Sequence, residues 1–229
     1  ELRAETIAAA RTRESAEETA RADAIAAAVA NAAIEVHLQP VVNLPHRRTM
    51  GYEAFARLRL SEQELLVPAE FMTVVEARGL APALDALMLT RVIAIARFLS
   101  TRPGEQFISF NISAASWANP RAVASIARII ENYQEFAGRL VLEMPQRVFR
   151  SLDPSSLGLL GAMSAYGARF CLDQLSDLRL DPTGLADRGV RFVKAAAGLL
   201  QAAEEGRVKL DIEPADFAPL LARAGVTLI

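Results

Sequence analysis

Three times along the chain a glycine closes one segment and an apolar run follows at once. The three are Tyr166-Gly167-Ala168-Arg169-Phe170, Arg188-Gly189-Val190-Arg191-Phe192 and Ala224-Gly225-Val226-Thr227-Leu228. Glycine suits the left-handed residue that ends a helix, so each repeat reads as helix, glycine, strand. Repeated units of this kind build a parallel sheet with covering helices, and this many of them favours a barrel. Strand-like runs fall at 36–42, around 51–58, and at 106–112, 140–144, 169–172, 190–194 and 226–229. Helix signals lie between them. Pro68 precedes 69–77, apolar residues recur at helical spacing over 85–99, and Asp153-Pro154 and Glu213-Pro214 each set a proline in a first turn. The expected fold is therefore an α/β, TIM-like (β/α) barrel, with Trp117 and the 85–99 helix in its core.

Residues 1–33 differ from all that follows. Fourteen of them are alanine and ten are charged, with no proline before Pro40 and no glycine before Gly51. That composition predicts one long helix, so the chain divides into a 1–33 linker or coiled-coil helix and a 34–229 barrel domain. Leu2, Ile7, Ile25 and Val29 keep no strict heptad, although Ile7 and Val29 are two eleven-residue steps apart. A weak dimeric coiled coil and a solvated single helix are both open readings.

Composition removes several function classes. A net charge of −2 argues against a broad surface for a nucleic-acid polymer. One cysteine, Cys171, and two histidines, His37 and His46, leave no disulfide framework, zinc ribbon or histidine-rich centre. No apolar run reaches the roughly 18–20 residues that span a bilayer. Chemistry has to run on carboxylates, amides, arginines and the two lysines, Lys194 and Lys209.

Four strand runs end in a polar residue of that kind: Asn111, Glu143, Asp173 and Lys194. Parallel strands point one way, so these ends collect at one mouth of a barrel. Asn, Glu and Asp supply hard oxygen ligands suited to Mg²⁺ or Mn²⁺, and a lysine orients water or an anion. Taken singly, each is an ordinary cap or loop residue. Taken together they define a candidate site.

With these residues in place, the chain from 36 to 229 resembles the EAL domain family, barrels that hydrolyse cyclic di-GMP or bind it as receptors. Gln39-Pro40 resembles the family's opening strand, and Gly51-Tyr52-Glu53-Ala54-Phe55-Ala56-Arg57 resembles its signature, with Phe55 in place of leucine. Pro68-Ala69-Glu70-Phe71, Asn111-Ile112-Ser113 and Leu142-Glu143-Met144 follow in the family's order. Asp173 precedes Lys194 by 21 residues, the spacing the family keeps between its Asp-Asp pair and its lysine.

The departures bear on activity. The Asp-Asp pair that bridges two cations in working members is Asp173-Gln174 here, and a neutral amide neither bridges cations nor acts as a base. Leu175-Ser176-Asp177-Leu178 replaces the family's glycine-rich loop, Gln146 replaces an acid, and Ala195-Ala196 stands where an acid is expected after Lys194. Against the family's pattern the barrel also lacks its last strand.

The resemblance therefore implies a catalytically inactive receptor. Cyclic di-GMP would meet Gln39, Glu53, Arg57, Arg59, Asn111, Glu143, Asp173 and Lys194, with no metal required. A single Mg²⁺ or Mn²⁺, if one is held, would use Glu53, Asn111, Glu143 and Asp173. The tail from Arg191 through Ile229 is similar to that of a degenerate flagellar regulator in the family. This implies flagellar or polar assembly proteins as partners, a homodimer through the N-terminal helix, and a cytoplasmic domain with an inner-membrane tether upstream of Glu1. A nucleotide-independent scaffold is the alternative, and residual phosphodiesterase activity a third reading.

Overall fold

The computed structural model describes residues 2–44, 46–205 and 214–229. The alanine-rich segment is one helix, α1 (Leu2–Ala30). Its last two turns are seated in the barrel domain: Ile25, Ala28 and Val29 are buried in the same core as the sheet. Ile25 and Val29 are thus core residues, whereas the side chains of Leu2 and Ile7 lie outside the described set. Ala32 turns the chain with a φ of 52°.

A long hairpin follows, β1 (Ile34–Val42) and β2 (Thr49–Arg59), paired antiparallel. This departs from the all-parallel expectation. The connection between the two strands is far shorter than the dozen or so residues a parallel crossover needs. A two-residue strand that the sequence did not signal, β3 (Leu65–Leu66), adds to β2. The remaining elements alternate. They are α2 (Pro68–Ala77), α3 (Ala81–Ser100), β4 (Phe107–Asn111), α4 (Ala114–Trp117), α5 (Pro120–Asn132), α6 (Gln134–Ala137), β5 (Leu140–Pro145), α7 (Gln146–Ser151) and α8 (Pro154–Ala165), then β6 (Arg169–Asp173), α9 (Pro182–Asp187), β7 (Val190–Val193), α10 (Ala197–Glu204), α11 (Pro214–Arg223) and β8 (Thr227–Leu228).

The sheet runs β1-β2-β4-β5-β6-β7-β8, parallel from β2 onward, and curls into a half-barrel. Among the described residues β1 and β8 do not pair with each other. The three repeated glycines do the work expected of them: Gly167, Gly189 and Gly225 have φ of 103°, 81° and 74° at helix–strand junctions. Asp153 caps α8 by accepting from Ser156 N at 2.8 Å. The acid proposed to open α11, Glu213, lies with Asp211 and Lys209 outside the described residues; the helix itself begins at Pro214.

Side chains alternate across the strands and so divide the apolar residues into two sets. The larger set packs the sheet's outer face against the helices and includes Ala54, Leu58, Phe110, Leu142, Phe170, Trp117 and much of α3. The smaller set, Phe107, Val141 and Cys171 with Val41 and Phe192, lines the concave side. Phe107 and Phe192 lie 4.8 Å apart, and the Arg169 guanidinium sits over both rings at 5.7 and 5.6 Å. Gly51 belongs to this layer, where a Cβ would meet Phe107 O at 2.5 Å. Only a residue without a side chain lets β2 lie this close to β4.

Candidate functional site at the barrel mouth

Two residues further along these strands, the concave face turns polar. The β1–β2 register sets Gln39 opposite Glu53, the β4–β5 register sets Asn111 opposite Glu143, and β6 ends in Asp173. Lys194 follows β7 directly and is held by its backbone N–H on Leu172 O at 2.8 Å. The sheet therefore brings together residues 141 positions apart in the sequence, from Glu53 to Lys194.

Lys194 is the hub. Its Nζ lies 2.7 Å from Glu53 Oε2 and 2.6 Å from Glu143 Oε2. Asn111 Nδ2 donates to Glu53 Oε1 at 3.1 Å. Glu143 is fully buried, and Lys194 and Glu53 are about 16% and 15% exposed at their side chains. Burial raises the Glu143 carboxyl and the Glu53 charge adds to this, while the Lys194 charge opposes it. Burial pulls the Lys194 ammonium down, but the two carboxylates outweigh it and the net shift is upward. Lys194 is thus held cationic between two acids that need it. Beneath them, burial followed by the Glu143 charge pushes the Cys171 thiol well up, so it stays protonated.

The other expected residues divide. Asp173 is half-buried and accepts from Gln174 N at 2.6 Å. Gln174 takes a left-handed φ of 49°, and its Oε1 accepts from Arg147 Nη1 of α7 at 2.9 Å. Gln39 is exposed beside Glu53. Arg57 donates to Ala56 O at 2.9 Å. Arg59 is committed elsewhere: it pairs with Glu35 and donates to Ser61 O and Glu62 O at 3.2 and 3.1 Å, fastening the hairpin to the β2–β3 turn. The structure does not bring Arg59 to the Lys194 cluster.

Several residues around the mouth escaped the sequence reading as functional groups. Gln146 is fully buried. Its Nε2 donates to Asp177 O at 3.0 Å, while its Oε1 accepts from Ser176 N and Oγ at 2.9 and 3.0 Å. Arg150 grips Asp177 through bonds of 2.8 and 2.7 Å and donates to Arg179 O at 2.7 Å. The segment after β6 is therefore tied down to α7 from both sides. Asp85, buried in α3, accepts from Ser113 N at 2.9 Å and from the Ser113 and Ser116 hydroxyls at 2.6 Å each, anchoring the turn after Asn111. A lone acid inside the apolar 85–99 pattern was its one sequence signal. A cavity of about 410 Å³ lies beside the mouth, between Trp117 of α4 and Arg147 and Val148 of α7, and includes none of the strand-end set.

A half-barrel of parallel strands with carboxylates, an amide and a lysine at the strand ends defines the class. The EAL domain pattern matches residues 22–226, so this chain belongs to the EAL domain family. It is 26% identical over 179 residues to the probable cyclic di-GMP phosphodiesterase PdeB of Escherichia coli, covering 77% of this chain and 34% of that protein. The chain spans between a third and about half of the length of the first curated relatives it matches. Among solved structures it resembles the Xanthomonas citri FimX EAL domain in complex with c-diGMP, with a TM-score of 0.73, 22% identity, and coverage of 94% of this chain and 84% of that one. The Vibrio cholerae LapD S helix-GGDEF-EAL structure bound to c-di-GMP gives a TM-score of 0.69 at 16% identity, covering 89% and 48%. These likenesses carry the fold.

EAL phosphodiesterases use divalent cations, so the donors here have to be weighed for that task. Glu53 and Glu143 both turn an oxygen to the Lys194 ammonium, Asn111 turns its N–H rather than its carbonyl to Glu53, and Gln174 is engaged by Arg147. Among the described residues no group of three His, Cys, Asp or Glu side chains is placed to hold a metal ion. The residues present do not fit a two-cation centre.

Proposed function

We propose that this domain is a catalytically inactive EAL-type receptor, binding cyclic di-GMP at the barrel mouth and passing its occupancy on through protein contacts. The observation that carries the reading is the Asp173-Gln174 pair, whose amide is engaged by Arg147, at the same mouth as the Glu53–Lys194–Glu143 cluster. Hydrolysis needs a carboxylate in the place of Gln174 and a water activated between cations. Binding needs donors for phosphate and guanine. Gln39, Arg57, Asn111 and Lys194 supply them, and arginine's planar fork suits a phosphodiester. Arg59 is left out of the ligand set because its N–H groups are already used.

Flagellar or polar assembly proteins remain the proposed partners, with dimerisation through α1 ahead of its buried turns. A cytoplasmic location with a tether upstream of Glu1 belongs to the same proposal. No described helix is long and apolar enough to cross a membrane. The clamped segment around Asp177 favours a second reading, a nucleotide-independent scaffold, because Gln146 and Arg150 fasten that loop through side-chain bonds of the protein's own.

The deciding experiment is calorimetric titration with cyclic di-GMP, in Mg²⁺ and then in EDTA, followed by chromatography for the linear dinucleotide. Micromolar binding, about −8 kcal/mol, in both conditions with no product is the expected result. No heat at 100 µM ligand selects the scaffold, and product formed in Mn²⁺ but not in Glu53→Ala restores the enzyme.

A further inference from the structure

We propose that the free end of the β1–β2 hairpin is a membrane-surface anchor: Val42, Leu44 and Met50 enter the interface of a bilayer carrying anionic headgroups, and Arg47 and Arg48 meet the phosphates. The inference is independent of nucleotide binding, because the hairpin tip lies at the end of the barrel opposite the mouth.

The register places it there. β2 begins at Thr49 beside the start of β4, with Gly51 opposite Phe107, and reaches Glu53 only further along. At the tip the chain turns on Asn43. Its N–H donates to Arg48 O at 2.9 Å, its carbonyl accepts from Arg47 N at 2.7 Å, and its Oδ1 accepts from Arg48 N at 2.9 Å. Within this turn Leu44 is 80% exposed, and Val42 and Met50 beside it are 44% and 48% exposed. Val42 and Met50 follow and precede Val41 and Gly51 of the concave layer, so both belong to the outer face. Leu38, four residues back on that face, is 42% exposed. Side chains of this size are unfavourable in water, and four of them on one hairpin form an uncovered apolar patch.

The charge around the patch has one sign, in a chain whose net charge is −2. From Val36 to Tyr52 the sequence holds Arg47, Arg48 and two histidines, and no acid. Arg47 and Arg48 are exposed, and among the described residues neither guanidinium has an ion-pair partner. Arg47 also takes a left-handed φ of 50°, which glycine or asparagine adopts with less strain, so a cation stands where the turn itself does not call for one. Arg139, Arg169 and Arg191, at the starts of β5, β6 and β7, bring further positive charge to this end. They donate to backbone carbonyls rather than to acids, and Glu105, just before β4, opposes them.

Shape selects the partner. A stable protein interface takes about 800 Å² from each side, more than one projecting turn supplies. A bilayer interface accepts such a turn: the apolar side chains enter the headgroup–acyl boundary while arginine stems lie along it and hold their guanidiniums at the phosphates. Anionic lipid attracts each arginine and makes the contact salt-sensitive. Docked in this way, the barrel turns its mouth toward solution, and attachment does not compete with occupancy of the site.

The test is sedimentation of the intact chain with vesicles of phosphatidylcholine alone and of phosphatidylcholine with about 30% phosphatidylglycerol. Binding to the anionic vesicles is expected to be at least tenfold tighter than to the neutral ones, and to weaken at least tenfold in about 0.5 M salt. Leu44→Glu, and Arg47→Gln together with Arg48→Gln, are each expected to weaken it at least fivefold. Their circular dichroism and melting temperature should stay those of the parent, because all three side chains are exposed. Leu44→Trp adds a surface indole to the buried Trp117, and its emission is expected to shift to the blue with anionic vesicles only. Absence of binding to anionic vesicles overturns the proposal. So does binding that Leu44→Glu leaves unchanged, or a Leu44→Trp emission that does not move. A dimer seen by light scattering that Leu44→Glu dissociates, without vesicle binding, assigns the patch to a second copy and overturns it too. Cyclic di-GMP is absent from every arm, so the receptor reading stands or falls separately.

Discussion

Gln146→Glu is expected to damage the fold, and to do so in a pH-dependent way. The Gln146 amide is fully buried and uses both of its ends. Its Nε2–H meets Asp177 O at 3.0 Å with Asp177 Oδ1 at 3.5 Å, and its Oε1 receives Ser176 N and Oγ. A carboxylate keeps the second set and turns an oxygen against the Asp177 carbonyl in place of the donor. Leaving that carbonyl without its donor costs about 1–3 kcal/mol. Protonating the new acid restores a donor. Holding an ordinary glutamic acid protonated at pH 7 costs about 3.7 kcal/mol, from 1.36 kcal/mol per unit above ~4.3. The cheaper of the two routes governs, so the expected loss at pH 7–8 is about 1–3 kcal/mol. The sign follows from a folded pKa above the unfolded one: full stability is present below ~4.3 and is lost as pH rises through the raised folded value. Urea unfolding at pH 4.5 and pH 8 reads this out, with a deficit below about 1 kcal/mol at the lower pH. An equal deficit at both pH values, or none at pH 8, refutes the account of Gln146 as a clamp that needs its amide.

Other perturbations test the neighbouring layers. Gly51→Ala places a Cβ 2.5 Å from Phe107 O and 2.6 Å from its ring, and β2 has to move off β4 to relieve it. Urea unfolding should show a loss of about 2 kcal/mol or more. Asp85→Ala strips three hydrogen bonds from the turn after Asn111, and about 3 kcal/mol of stability should go with them by the same measurement. Asp177 is held at a pKa of about 2, first by its bond to Arg150, so its contribution is present above ~3.8 and lost as pH falls through 2. Because Arg150 is 42% exposed the pair is worth only about 1 kcal/mol, and Asp177→Asn should chiefly speed proteolytic nicking between 174 and 181. In calorimetry with cyclic di-GMP, Arg57→Ala is expected to weaken binding tenfold or more and Arg59→Ala less than threefold, since Arg59 already serves Glu35 and the β2–β3 turn.

What could be read along the chain was whatever is encoded locally. Apolar runs closed by Asn111, Glu143, Asp173 and Lys194 placed four strand ends, because a buried strand of a parallel sheet announces itself by its apolar core and its polar terminus. Gly167, Gly189 and Gly225 marked junctions because the required φ belongs to glycine. The contacts across the fold were not readable. Nothing near Arg59 in sequence shows that Glu35, on the other strand of the hairpin, takes its charge. Nothing near Gln146 shows that its partners are Ser176 and Asp177, 30 and 31 residues on. The seating of Ile25 and Val29 was hidden for a related reason: in an alanine-rich helix a few apolar residues fit a coiled-coil seam and a core contact equally well until the opposing surface is known.

Gln146 and Gln174 also share a physical logic. A carboxylate only accepts hydrogen bonds, whereas an amide donates at one end and accepts at the other. Gln146 uses both ends to join a backbone carbonyl to a backbone N–H, which no acid can do while ionised. Gln174 accepts from Arg147 without adding a negative charge next to Asp173, and it does so from a left-handed backbone that already holds Asp173 Oδ1 on its own N–H. Both amides fasten the surrounding loops without adding negative charge at the mouth. Two carboxylates already face one ammonium there, so each further acid would add to an excess of negative charge. The amides at 146 and 174 avoid that excess while tying the loops to α7 through hydrogen bonds of the protein's own.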